Sequence, residues 1–560
     1  MHTLIKDARF VDVNIGSIYR ADVLIDGSRI SSVRSQINES PDFEKIINAN
    51  GRYLIPGLMD SHVHIESSML TPNNLAEVLL TKGTTAIIAD PHEITGVLGI
   101  NGLKYFIDEA RKCPVKIYFT APYKIVKRLA DDEGLDGYRD RLIGLGEVSP
   151  FFFSNKEEFI EACDFAKANS LLLEGHLGPG YAQKHLDFAT FHGVSSCHET
   201  VSADEAFEKM RRGVSLIVRE GSAAKNLDMI FDHFWFKVRD PRKLLFCTDD
   251  LEIDDLLFYG DVDNCLRKAV RKGVDPIRAI QMATINAASH FGMDGEFGSI
   301  APGKCADLVL LHDIFDFEIS LVMIEGREVY SDGSLEMEFE RYLPPDFCYK
   351  SFILDQEIKT SDFRIETAPA RSRFVDVRVI GAVEGQIYTT QINAKMKMTD
   401  GQLKTDLSSD FLKIAVIDRY SRKLDRIPVG FVHGFGLKGG ALATSVAHDE
   451  HNIIVIGTND DDMAFAVNEI LERGGGLVAV LEGKVIGEVV LPVAGLMSDK
   501  SSKDLYKQVV KLQRSTREIK CLLKSPFMTM SFLSLPIPEL KIDKVGLLHV
   551  KSNQYVPLFS

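Results

Sequence analysis

The stretch Pro56–Gly57–Leu58–Met59–Asp60–Ser61–His62–Val63–His64 decides how this chain is read. A short apolar run ends in two histidines two positions apart. On a β-strand, residues i and i+2 share a face, so both imidazoles reach toward one point in space. Such a pair makes a poor core element and a good start on a metal shell. Two histidines do not fill that shell, so further ligands must follow at the spacing of a repeating unit.

Apolar runs recur at 84–90, 115–120, 142–147, 171–176, 193–198, 214–220 and 244–249, which with 58–64 make eight strand candidates. Most are separated by roughly 20–30 residues, with helix-like or mixed segments between them. Eight βα units over about 240 residues is the size of a (β/α)8 barrel, a fold that keeps its chemistry at the C-terminal strand ends. Those ends carry His62 and His64, Asp90 and His92, Glu147, His176, His198, Arg219 and Glu220, and Asp249 and Asp250. Seven of the fifteen histidines fall between positions 62 and 198, a clustering that marks a site.

A chain of 560 residues exceeds one core and should divide into two to four domains. The expected class is α/β. Residues 1–56 read as short strands (3–5, 8–11, 21–25, 29–33, 52–55) forming the N-terminal part of a β-sandwich. Residues 57–295 are the barrel, and 296–345, with strands at 306–311 and 321–324, return to complete the sandwich. Residues 346–560 read as a separate α+β domain, with strands near 374–379, 411–416, 453–456 and 477–481 and a helix near 503–523. The net charge of −15 argues against a nucleic-acid or anionic-membrane surface. Eight cysteines without a CxxC pair imply neither a disulfide framework nor a zinc knuckle. Lys6 and Asp7 interrupt any leader-like apolar run, and no stretch of about 18 apolar residues exists, so a cytoplasmic location is expected. A barrel of this kind is expected to work as a homo-oligomer, of a size the sequence does not set.

The strand-end residues define the chemistry. His62, His64, Glu147, His176, His198 and Asp249 make six N/O ligands, enough for two divalent ions sharing a carboxylate. Imidazole and carboxylate suit Zn, Fe(II) or Mn(II) without choosing among them, and such ions make water nucleophilic near neutral pH. Asp249 is placed to move the proton. Gly144 and Gly146 permit close approach around Glu147, the expected bridging ligand. Glu66, two positions after His64, is the candidate for protonating a substrate ring. His92 is read either as an accessory ligand or as a residue that orients the ligands. Arg219 and Glu220 either pair with each other or face the substrate; Ser222, Asp250, Ser445 and Asp449 are further candidates for substrate contact. Cys197 and Cys247 neighbour ligands but point the other way along their strands, so both are read as packing; His185 and His192 are read as surface residues.

Gly434-x-Gly436-x-x-Gly439 fits a dinucleotide-loop pattern, with Asp460–Asp462 about 20 residues on. The helix expected over 440–447 is short for a βαβ crossover. The loop, with Ser445, His448 and Asp449, is therefore expected to close over the barrel mouth or to support the fold.

The His-x-His/Glu/His/His/Asp layout with a split sandwich resembles the amidohydrolase superfamily. The stretches 62–72, 90–93 (Asp-Pro-His-Glu), 144–148, 219–226, 281–288, 433–438, 445–449 and 526–529 are similar to those of bacterial adenine deaminases, in the same order. The resemblance implies hydrolysis of adenine to hypoxanthine and ammonia, a purine-salvage reaction, with two Mn or Fe ions. Two positions depart from it. The strand-8 motif, Asp-Asp-Arg-His-Pro-Asp-Asp in the family, is Asp249–Asp250–Leu251–Glu252–Ile253–Asp254–Asp255 here, and Cys197 replaces the aspartate before His198. The six ligands survive both. The same site acting on another aminopurine or cyclic amide is the neighbouring reading; a non-catalytic scaffold or nucleotide-binding protein is the reading from another class.

Overall fold

The computed structural model describes residues 2–178, 181–222, 224–338, 342–366 and 373–560. Its packing divides into two units. One comprises 1–68, 72–91 and 103–342, the other 69–71, 92–102 and 343–560. Among the described residues no helix is long and apolar enough to cross a membrane, and all eight cysteines are free thiols.

In the first unit, eight parallel strands follow the eight apolar runs. They are β1 (Leu58–Val63), β2 (Thr84–Ala89), β3 (Lys116–Ala121), β4 (Leu142–Val148), β5 (Leu172–Gly175), β6 (Ser196–Cys197), β7 (Ser215–Arg219) and β8 (Leu244–Cys247). β1 to β5 form one sheet and β6 to β8 another. Ser195 N donates to Leu173 O (3.0 Å) between β5 and β6, and Asp249 N donates to His62 O (3.0 Å) between β8 and β1. β1, β2, β7 and β8 are buried along their whole length, the reason they read as continuous apolar runs rather than alternating ones. Met59, Ala86, Ile88, Ile217, Leu245 and Cys247 meet in one apolar cluster, which accounts for Cys247 as packing.

The N-terminal and returning segments join in one nine-stranded sheet, through the antiparallel pairing of Leu308–Asp313 with Tyr53–Pro56. The two short strands expected at 3–5 and 8–11 are one strand, His2–Asp12, bent where Asp7 takes a positive φ of 55°. Lys45–Asn48 and Arg327–Ser331 are additional strands that the sequence pattern did not single out.

The second unit is built on a ten-stranded sheet. Helix Asp460–Arg473 is capped by Asn459, which accepts from Asp462 N, and is stopped by Gly474 at φ 71°. Its buried face joins Ala415, Ala443, Val455 and Val478 in the core. Helix Ser502–Glu518 matches the expected apolar stripe, burying Leu505, Val509 and Leu512. The helix expected over 440–447 is instead a buried strand, Ala441–Thr444, between Ile453–Gly457 and Gly476–Leu481. Ala-Leu-Ala-Thr has helix-forming residues, but two flanking strands satisfy its backbone and override that preference.

Candidate metal centre

The first unit brings the six predicted side chains together at the C-terminal strand ends. His62 lies in β1, and His64 is the first residue beyond it; their Nε2 atoms are 3.3 Å apart. Asp249 Oδ1 lies 3.5 Å from His62 Nε2 and 3.2 Å from His64 Nε2. Glu147 Oε1 faces three ring nitrogens, His62 Nε2 at 3.7 Å, His64 Nε2 at 3.4 Å and His198 Nε2 at 3.6 Å. Its other oxygen lies 3.6 Å from His176 Nδ1. At 3.2 to 3.7 Å the separations run from long hydrogen bonds to beyond them, and they suit groups arranged around a common centre. His62, His64, His198 and Asp249 are buried, Glu147 and His176 half-buried.

The local backbone explains the aim of these groups. Glu147 (φ 50°) and Asp249 (φ 58°) both adopt the left-handed region, uncommon for residues with a side chain and concentrated at functional sites. Gly146 is required by crowding: a Cβ there would lie 1.5 Å from Asp90 Oδ2. His64 Nδ1 donates to the Asp90 carbonyl (3.0 Å), which leaves Nε2 as the lone-pair nitrogen facing the cluster.

A divalent cation fits this donor set. His198 Nε2 and His176 Nδ1 are buried and make no hydrogen bond, although both point at Glu147. Burial, reinforced by neighbouring His62, holds the His198 ring down to about 4, so at neutral pH it offers a lone pair. His62, His64 and Asp249 form one group able to hold an ion; His62, Glu147 and His198 form an overlapping second.

Arg219 does not pair with Glu220. Its guanidinium forks onto both oxygens of Glu199, donates to Asp249 Oδ2 (2.8 Å) and, through Nε, to Asn226 Oδ1 (2.7 Å). Burial favours a neutral Asp249 carboxyl, yet Arg219, His62 and His64 hold it well below its ordinary range. Glu220 pairs with Lys268 Nζ at 2.6 Å. Glu199 is a site residue the sequence reading passed over. Its signal was there, immediately after His198 in Cys197–His198–Glu199. A second omission is Glu174, two residues before His176, which accepts from Ser196 Oγ (2.5 Å) and pairs with His290 Nε2 (3.0 Å). Cys197 is fully buried with Sγ 3.4 Å from Leu177 O.

Glu66 is buried in the turn Ile65–Ser68 that leaves β1. Ser67 Oγ donates to Asp250 Oδ1, Ser222 N donates to the Asp250 carbonyl (2.7 Å), and Ser222 Oγ accepts from Glu252 N (2.9 Å). Ala223, within the quoted stretch 219–226, lies outside the described residues. In this tail, Leu251–Glu252 stands where the family carries Arg-His. Burial together with Asp254, Asp255 and Asp250 pushes the Glu252 carboxyl up to about 8. The folded chain therefore holds a proton that the unfolded chain releases near pH ~4.3, and stability falls as pH rises between those values. Glu252→Gln removes this dependence. The variant is expected to gain stability over the parent progressively from pH 5 to pH 9, read as the difference in urea midpoints; a constant difference would contradict the assignment.

Within the second unit, His92 opens the helix His92–Leu98, with Nε2 3.2 Å from Glu93 Oε1 and 3.9 Å from Asp449 Oδ1. Buried Glu93 accepts from His448 Nδ1 and His451 Nε2. The Ser445 hydroxyl is engaged by the backbone, donating to Gly495 O (2.6 Å) and accepting from Gly476 N (2.8 Å). The glycine-rich loop has a structural occupant: Asp410 accepts from Gly434 N and Gly436 N, both at 2.7 Å. The N–H groups that would cradle a phosphate are already bound to a carboxylate. Asp460 pairs with Lys413 (2.6 Å), and Asp462 accepts from Gly483 N (2.7 Å), so those acids are also in structural use.

Residues 53–329 match the family model described as the amidohydrolase family, whose members are metal-dependent hydrolases, consistent with the cluster at the strand ends. Residues 386–554 match the adenine deaminase C-terminal domain. The protein named adenine deaminase from Kosmotoga olearia is 36% identical, covering 99% of this chain and 96% of its own length. The adenine deaminases of Desulforamulus reducens and Moorella thermoacetica are each 36% identical, over 99% and 100% of this chain and 95% and 96% of their own lengths. The chain belongs to the adenine deaminase family.

Proposed function

We propose that this protein hydrolyses adenine to hypoxanthine and ammonia at a centre of two divalent cations, Mn or Fe, and that its two arcs of parallel strands act as one (β/α)8 barrel. The observation that carries the reading is the convergence of four imidazoles and two carboxylates on overlapping points, with Glu147 presenting one oxygen to His198 and the β1 pair and the other to His176. His62, His64, Glu147, His176, His198 and Asp249 would hold the ions. Bound there, the ions supply Lewis acidity that makes water nucleophilic near neutral pH.

The chain's own residues do the rest. Water adds to C6, the C6–N bond breaks, and the proton lost by water leaves with ammonia. Asp249 carries that proton: Arg219 ties down Oδ2, so Oδ1 alone faces the reacting centre. Arg219 is in turn fixed by Glu199, so the carboxylate is set in position before substrate arrives. Glu66 protonates the purine ring as C6 becomes tetrahedral and regains a proton when the C6 hydroxyl becomes the product carbonyl, so water's second proton ends on the ring. The walls of β1, β2, β7 and β8 exclude water from beneath the site. The altered tail at 249–255 favours a second reading, the same chemistry on a different aminopurine or cyclic amide.

The test is ammonia release from adenine by protein reconstituted with Mn(II) or Fe(II), with 2,6-diaminopurine and a dihydropyrimidine as competing substrates. Fast turnover of adenine in the metal-loaded protein alone supports the reading. Metal bound at about two ions per chain with turnover only of another ring would overturn adenine and leave the hydrolase.

A further inference from the structure

The loop leaving β4, just after Glu147, carries three consecutive phenylalanines with three different fates. Phe153 packs against Tyr123 and Phe159, with ring centroids 6.0 and 5.5 Å apart. Phe151 sits edge-on to Tyr181 at 4.7 Å and to His185 at 5.2 Å. A hydrogen bond between Ser149 Oγ and Tyr181 Oη clips this loop to the segment that follows β5. His185, read from the sequence as a surface residue, is thus part of the clip. Phe151 and Phe152 are each 60% exposed, and it is Phe152 whose ring lies against a candidate ligand, its centroid 5.0 Å from that of His176.

Exposure alone does not single Phe152 out, since Phe191, Phe236 and Phe258 are more exposed; its place beside His176 does. The loop is not loose, because Phe151 on one side and Phe153 on the other pin it. The result is an apolar ring held beside a proposed cation ligand, on the side of β4 and β5 where the strand ends open. The group that must come within bonding distance of that centre is itself flat and aromatic, and stacking against an aromatic side chain needs only a free π-face.

We propose that Phe152 is a substrate-binding residue that packs against the purine ring while C6 sits at the reacting centre. The inference rests on the adenine reading above. It adds a residue that the strand-end ligands do not contain and confines the substrate class to planar heteroaromatic rings.

The test uses metal-loaded full-length protein. Phe152→Ala is expected to raise KM for adenine by roughly tenfold to hundredfold, the range for losing one aromatic–base stack, with kcat within about threefold. The inhibition constant of the product hypoxanthine rises by the same factor, because the stack needs the ring and not the reaction. Phe152→Tyr restores both values to within about twofold, while Phe152→Leu, apolar but not planar, falls between. If Phe152→Ala leaves KM and the hypoxanthine constant unchanged while the parent turns adenine over, the inference is overturned and the adenine reading stands. A change confined to kcat, or a change in subunit number by light scattering showing that Phe152 is covered by a second copy, overturns it equally. If the metal-loaded parent does not turn adenine over, the function reading falls first and the inference with it.

Discussion

His62→Ala His64→Ala abolishes metal-dependent ammonia release from adenine, with a loss on the order of a thousandfold or more. Both imidazoles are buried, and both Nε2 atoms face Asp249 Oδ1 and Glu147 Oε1. Removing them takes two imidazole donors from a cluster in which Glu147, Asp249, His176 and His198 remain. Metal content by atomic emission is expected to fall with activity, while the far-ultraviolet circular dichroism stays that of the parent. Activity retained with metal still bound would remove these histidines from the proposed ligand set.

Arg219→Ala is expected to be the most destabilising single change around the centre. The guanidinium is the shared partner of Glu199 and Asp249, all three buried. Taking away the cation strands two carboxylates in a low-dielectric setting, and breaking a buried pair in this way costs about 3–5 kcal/mol. Arg219→Lys keeps the charge but not the planar fork that meets both Glu199 oxygens, so its loss is smaller yet clearly measurable. Denaturant midpoints of the three proteins, each measured without added metal, are expected in the order parent, Lys, Ala. Equal midpoints would show that solvent reaches the site and screens these charges. The same variants lose turnover, since Asp249 Oδ2 is no longer tied and Oδ1 loses its aim.

Much of the candidate site was legible because donors gathered on strand ends leave a local trace. His62 and His64 are two apart at the end of a strand, and the other proposed ligands fall at the ends of further apolar runs, so period and spacing suffice to find them. Glu147 was legible through Gly144 and Gly146, and the structure supplies the reason for the second glycine in the Asp90 carboxylate beside it. The partner of Arg219 was not legible. Sequence adjacency left two readings open, pairing with Glu220 or facing the substrate; neighbouring strand residues point to opposite faces, and Glu220 turns away to Lys268. Glu199, 20 residues earlier, reaches Arg219 because β6 and β7 are parallel neighbours. The segment 440–447 failed for a related reason: its composition favours a helix, while its place between two strands makes it one of them. The Gly434–Gly439 pattern matched a phosphate loop in spelling alone, since Asp410, 24 residues upstream of Gly434, occupies its N–H groups.

The sequence by itself determined what is periodic or local: eight buried parallel strands, the residues at their C-terminal ends, the donor types that suit a divalent cation, and the family to which the chain belongs. Those features follow from side-chain alternation and the regular return of apolar runs, which no distant contact is needed to see. Only the tertiary structure decided which charges neutralise one another, which glycines are forced by a neighbour, and which aromatic of Phe151, Phe152 and Phe153 remains open beside His176. Those depend on groups far apart in the chain meeting in a low-dielectric interior, where a few ångströms separate a paired carboxylate from a stranded one.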